Sequence, residues 1–289
     1  MAEPTVPRFA DGLSEMAEAY DLFLLDQYGV LHDGEALYPG VLDALSQLRE
    51  AGKTLCVLSN SGRTAAYNAE RLEQFGLPPS SYGRLLTSGD MAVAWLRREA
   101  PETRCYPICP PVAAVPLREA GLHLVEDLEQ AEVLLLISLP LAADQMTPDT
   151  LAPVFEAGLR RRLPMICANP DLVGPRGDRV VISPGSIAAD YRAKGGAVRY
   201  FGKPEPAFFA GALSLFPGIQ AKRAVMIGDT PETDLIGARA AGIAAAFLTG
   251  GIHAAAFAAV PPEERRSVAR RLLAEKGASA DWVLPALVW

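Results

Sequence analysis

Six residues between positions 26 and 234 share one local setting, each beside an apolar run or at a turn. Asp26 follows Leu22–Leu25 in LLDQYGVLHDG, and Ser59 and Asn60 follow Thr54–Leu58 in CVLSNSGR. Lys203 lies in YFGKPEP, at a turn marked by Gly and Pro ahead of a helix. Asp229 follows Ala224–Ile227 in VMIGDTPETD, and Asp234 comes five positions later. Together they provide a candidate nucleophile, a hydroxyl and an amide donor, a cation and two further carboxylates. That set suits phosphoryl transfer: a carboxylate attacks phosphorus, while a lysine and neutral donors offset charge on the phosphoryl oxygens. Carboxylates without His or Cys partners are hard ligands that favour Mg²⁺ over zinc. Each motif alone has a plainer reading. An Asp after a strand commonly caps a helix, and GDTPETD also reads as a capped start with Asp229 or Thr230 at the N-cap and Glu232 in the first turn. Their order along the chain, always at a strand end or turn, is the stronger signal.

Strands and helices must alternate to place these residues. The run Leu22–Leu25 predicts a strand buried on both faces, as parallel sheets require. Apolar residues at Val41, Ala44, Leu45 and Leu48 have helical spacing, and Gly52 ends that helix. Thr54–Leu58 reads as a strand, Ala65–Phe75 as a helix and Leu85–Leu86 as a short strand. The alternation returns with Ala224–Ile227, a helix over Thr233–Ala241 and the strand Ala244–Leu248. Between them, Val112–Ala120 and Pro153–Arg162 read as helices; Val133–Ile137, Met165–Ala168 and Val180–Ile182 read as strands. This pattern predicts an α/β fold with a parallel sheet and a second compact α/β unit. In parallel sheets ligands bind beyond the carboxyl ends of the strands, where Asp26, Ser59, Asn60 and Asp229 fall.

Composition narrows the function. The 289 residues are 50% hydrophobic and 21% charged, which suits a globular chain with a buried core. A net charge of −7 argues against nucleic acid and anionic membranes as partners. Arg160–Arg162 and the Arg265–Arg271 cluster read as solvated helix faces. Only 5 of the 27 basic residues are lysines, so a lysine beside reactive groups is conspicuous. Cys56, Cys105, Cys109 and Cys167 are too few for a disulfide framework and read as reduced thiols. With no secretory signal and no apolar run near 20 residues, the chain is expected in the cytoplasm. Self-association is left open.

The ordered set DxxGVL, LSN, GKPxPxxF and IGDTxxTD resembles the haloacid dehalogenase superfamily of aspartate-nucleophile hydrolases, across nearly the whole chain. GKPEPAFF, GDTPETDLIGARAAGI and LTGGIH resemble its class with an α/β cap inserted between the second and third motifs, which includes nitrophenylphosphatase- and phosphoglycolate phosphatase-like enzymes. The resemblance implies a Rossmann-like doubly wound core over residues 1–88 and 196–289, with a cap over 89–195. It implies Asp26 as nucleophile and Mg²⁺ ligand, and the Tyr28 carbonyl as a further ligand. Ser59 and Asn60 would bind the phosphoryl group, and Lys203 would pair with it and with Asp26. Asp229 would bind Mg²⁺, with Asp234 supporting the metal site. The substrate would be a small phosphorylated metabolite.

One position departs from the pattern. Phosphatases of this superfamily carry an acid/base Asp two residues after the nucleophile, where this chain has Tyr28. A phenol of pKa ~10 is a poor base near neutral pH, and losing general acid–base help costs about 10²–10⁴-fold. DxYG resembles the carbon–halogen hydrolases of the superfamily, a second reading; a phosphate-binding protein with impaired turnover is a third. GDTPETD opposes the dehalogenase reading, because halide displacement needs no metal site. His32 is either a substitute acid/base or a solvent-facing turn histidine. In the cap, Cys167–Asp171 and Ser183–Tyr191 are the segments expected to meet substrate.

Overall fold

A computed structural model describes residues 6–147, 149–176 and 179–289. In chain order the strands are β1 (Arg8–Phe9), β2 (Leu22–Leu25), β3 (Thr54–Ser59), β4 (Arg84–Thr87), β5 (Cys105–Ile108), β6 (Val133–Leu136) and β7 (Met165–Cys167). They continue with β8 (Val173–Arg176), β9 (Arg179–Ile182), β10 (Val198–Tyr200), β11 (Ala224–Gly228), β12 (Ala244–Leu248) and β13 (Trp282–Leu284). Seven form one sheet in the order β1-β13-β12-β11-β2-β3-β4, with every pairing parallel.

The alternation of side chains along β2 shows why this sheet is covered twice. Phe23 and Leu25 join Val57, Val225 and Ile227 in one cluster, closed by the helix Val41–Glu50 through Val41, Ala44, Leu45 and Leu48. Leu22 and Leu24 join Cys56, Leu58 and Met226 in the other, closed by Phe208, Phe209, Val268 and Leu273 from helices Pro206–Ser214 and Arg265–Glu275. The core is therefore doubly wound and Rossmann-like. From β2 the chain moves outward to β3 and β4, whereas β11, β12 and β13 extend the other edge. The sheet thus switches direction between β2 and β11, the place where such folds bind ligands.

An α/β cap is inserted between β4 and β11. It holds a parallel sheet ordered β10-β7-β6-β5 and an antiparallel hairpin, β8 with β9. The edge strand Val198–Tyr200, paired with Met165–Cys167, lies beyond the expected limit at 195. Cys56, Cys105 and Cys167 are buried and all four cysteines are free thiols. No helix among the described residues is long and apolar enough to cross a membrane.

Candidate active site

The carboxyl ends of β2, β3 and β11 bring five of the predicted residues together. Leu25 of β2 lies in register with Ile227 of β11, so Asp26 and Asp229 leave adjacent strands side by side. Oxygens of Asp26, Asp229 and Asp234 lie within 4.8 Å of one another. Lys203 Nζ is 2.5 Å from Asp26 Oδ1 and 2.7 Å from Asp234 Oδ1. The second contact is off hydrogen-bond geometry, so Asp234 Oδ1 is buried beside a charge without an aligned donor. Asp229 is held from both sides: its Oδ2 accepts from Ile252 N–H at 2.7 Å, and its Oδ1 from the Thr230 hydroxyl at 3.1 Å.

Glycine makes this convergence sterically feasible. Gly29 has φ +84°, and a Cβ there would fall 1.8 Å from Asp229 Oδ2. A Cβ on Gly228 would strike the Asp234 carboxyl at 2.2 Å. The expected helix over Thr233–Ala241 instead begins as a π-helical turn, Pro231–Leu235, before regular helix from Ile236 to Ala240. Within that turn Asp234 Oδ2 accepts from Thr230 N–H, and the side chain lies against the sheet rather than along a solvent face.

Three carboxylates against one ammonium leave two negative charges in a closed space. Burial raises Asp26 well above the usual carboxylate range; Lys203 opposes this, while Asp234 and Asp229 reinforce it. Burial and then Asp234 push Asp229 up to about 7. Burial works against the Lys203 charge, but Asp234, Asp26 and Asp171 more than offset it and raise its pKa. Such excess charge on hard oxygen donors fits a divalent cation.

Ser59 is buried and lines the cavity, and its Oγ accepts from Ser61 N–H while its own proton stays available. The side-chain amide of Asn60 is engaged by other groups. Its Oδ1 accepts from Lys203 N–H at 2.7 Å, and its Nδ2 donates to Lys203 O at 3.1 Å and to Asp171 Oδ1 at 2.7 Å. The carboxamide expected on a phosphoryl group thus fixes the lysine loop and reaches the cap. Of the two cap segments, Cys167–Asp171 brings Asp171 into the cavity, where burial raises it to about 6 against the pull of Lys203 and Asn60. Ser183 and Pro184 of the other also line the cavity.

His32 fits neither of its expected roles. It is fully buried and its ring packs edge-on behind Tyr28, 4.3 Å between centroids. Its Nδ1 accepts from Gly34 N–H at 2.9 Å, which places the ring proton on Nε2. Gln27, 3.1 Å away, must then present its oxygen to Nε2; turning the carboxamide over supplies the partner that Oε1 otherwise lacks. Burial, reinforced by Arg71, lowers the His32 pKa to about 3. The folded state keeps this ring neutral, so the stability it confers is present above the ordinary histidine pKa and lost as pH falls. His32→Asn should therefore narrow wild type's stability advantage by about 2 kcal/mol between pH 7 and pH 5, read by urea unfolding. A constant gap would refute the neutral, buried assignment.

The cavity, about 460 Å³, also gathers Arg63, Tyr67 and Arg71, which the sequence reading missed. The signal was their spacing: residues four apart share a face of the helix Ala65–Gln74 and the turn before it.

Comparison with known proteins identifies the family. A family profile described as haloacid dehalogenase-like hydrolase matches residues 23–123, and one described as HAD-hydrolase-like matches 200–274. The chain belongs to the haloacid dehalogenase-like hydrolases, in the class with a cap inserted between the second and third motifs. It is 29% identical over 234 residues to dihydroxyacetone phosphatase of Corynebacterium glutamicum, covering 80% of this chain and 81% of that one. A haloacid dehalogenase-like hydrolase from Brucella suis has a similar structure, with TM-score 0.81, 26% identity and coverage of 96% and 100%. So does glycerol phosphate phosphatase of Mycobacterium tuberculosis in complex with magnesium, with TM-score 0.67, 25% identity and coverage of 86% and 74%.

Proposed function

We propose that this chain is a Mg²⁺-dependent hydrolase of small phosphomonoesters, working through an aspartyl-phosphate on Asp26. The observation that carries the reading is the meeting of Asp26, Asp229, Asp234 and Lys203 at one strand-end cluster. The names of its phosphatase relatives support it. The closing cap is taken to run through Tyr200 rather than to end at 195.

Asp26, Asp229 and Asp234 would hold the cation, with the Tyr28 carbonyl, which accepts no hydrogen bond from a described residue. Bound there, Mg²⁺ supplies charge stabilisation for the phosphoryl oxygens and for the attacking carboxylate. Lys203 and the Ser59 hydroxyl bind the phosphoryl oxygens. An Asp26 oxygen forms a bond to phosphorus as the ester P–O bond breaks and its electron pair leaves with the alcohol oxygen. Water then attacks phosphorus, the Asp26–phosphorus bond breaks, and phosphate departs.

Position 28 gives this reaction little proton transfer. Burial raises the Tyr28 phenol further, although Arg71 and Arg63 oppose that. Leaving groups that depart without a proton should react best, and nitrophenyl phosphate is one. With Mg²⁺ the protein should release nitrophenolate, and a chelator should remove at least about 90% of the rate, as expected when an essential metal is withdrawn. Wild type and Asp26→Asn equally inactive, there and on a broad phosphate panel, would sink the reading and leave the phosphate-binding one. Halide release from haloacids, indifferent to chelation, would favour carbon chemistry. The cation-ready carboxylates, which halide displacement does not use, favour phosphorus.

A further inference from the structure

The mechanism uses one lysine and a cation on the phosphoryl group, yet three guanidinium groups line the same cavity. Arg63 and Arg71 come from the core, and Arg176 from β8 of the cap. None of the three pairs with a carboxylate among the described residues, although most arginines in ion pairs here lie on open surface. Two are held in place. The Arg63 guanidinium stacks 4.7 Å over the Tyr67 ring. Arg71 lies 5.5 Å over the Tyr28 ring and donates to Gly34 O at 2.6 Å. Each retains most of its five N–H donors, and the planar fork of an arginine matches the oxygens of carboxylate or phosphate. Part-buried, oriented and without a carboxylate partner, the guanidiniums of Arg63 and Arg71 favour an anion that can pair with them. Glu35 lines the same cavity; it is exposed and pairs with no base among the described residues.

Tyr28 joins this group. Its side chain lies close enough to Arg71 and Arg63 for both charges to act on its hydroxyl. An aspartate at position 28 would place a negative charge beside two guanidiniums and neutralise them. A phenol leaves their charge available and adds a neutral donor.

We propose that Arg63, Arg71 and the Tyr28 hydroxyl, with Arg176 from the cap, bind a second anionic group on the alcohol part of the substrate. This rests on the phosphatase reading and names a substrate class within it: phosphomonoesters whose alcohol carries a carboxylate or a second phosphate. Tyr28 then serves recognition, where the superfamily pattern places proton transfer.

A two-carbon series tests it on the Mg²⁺-loaded enzyme. Phosphoglycolate carries a carboxylate, ethylene glycol bisphosphate a second phosphate, hydroxyethyl phosphate no further charge, and phosphoethanolamine a cation; nitrophenyl phosphate reports basal chemistry. The better of the two anionic esters should exceed hydroxyethyl phosphate by about 10–100-fold in kcat/KM, as a charge-assisted contact requires, with phosphoethanolamine slowest. Which anionic ester leads identifies the group bound. In Arg63→Ala that ratio should collapse towards one, chiefly through KM, and Arg63→Lys should restore part of it. Equal kcat/KM across the series, with nitrophenyl phosphate turned over, would overturn the second-anion site and leave the phosphatase standing. Wild type inactive on every ester would overturn both. The wild-type series decides the matter even if the Arg63 variants do not fold.

Discussion

Asp26→Asn is expected to lower kcat on nitrophenyl phosphate by at least about 10⁴-fold, because in the proposed reaction the variant lacks the atom that would take the phosphoryl group. The fold should survive. Burial and two neighbouring carboxylates make an ionised Asp26 unfavourable, and an isosteric amide removes that charge. Lys203 keeps Asp234 as a partner in the variant. Acid-quenched wild type should carry phosphate on Asp26, and the variant none. Residual activity above about 1% in a folded, Mg²⁺-loaded variant, well beyond what loss of a nucleophile allows, would remove Asp26 from this role.

Lys203→Met should do the most damage to stability. Among the described residues it removes the one ammonium that contacts Asp26 and Asp234, and Lys203 is 1% exposed, so water cannot replace it. Breaking a buried ion pair on one side costs about 3–5 kcal/mol. The loss has a pH signature. Asp229 and Asp26 have folded-state pKa values above their unfolded ones, so between roughly pH 4 and pH 7 the native state holds more protons and metal-free stability falls as pH rises. Without the lysine that fall should steepen, and Mg²⁺ should recover more stability in the variant than in wild type. Calorimetry in chelator and in Mg²⁺ at several pH values reads both effects. A variant as stable as wild type at pH 8 in chelator would show that the carboxylates are not mutually strained.

How far the chain could be read depended on what each residue answers to. Leu22–Leu25 and Ala224–Gly228 announce themselves because a strand covered on both faces has no polar alternative. Arg8–Phe9 and Trp282–Leu284 extend the sheet with two and three residues, too short for any periodicity. The π-helical turn at Pro231–Leu235 answers to Asp234 and its partners rather than to local propensity. Asp26, Lys203 and Asp229 were legible from type and strand-end position. The use of Asn60 was not, since its partners lie 143 and 111 positions away. His32 looked like a turn residue because its burial depends on Tyr28 and Phe75, contacts that no local pattern encodes.

The three bonds of Asn60 are unevenly divided: two go to the Lys203 backbone in the core and one to Asp171 in the cap. Lifting the cap breaks the last of these and the short bond from Ser88 to the Ala168 carbonyl. It leaves the pair that anchors the lysine loop. In the proposed reaction, spent phosphate would then leave through an open door while the ammonium stays trained on Asp26, and the next ester would meet its nucleophile already in position.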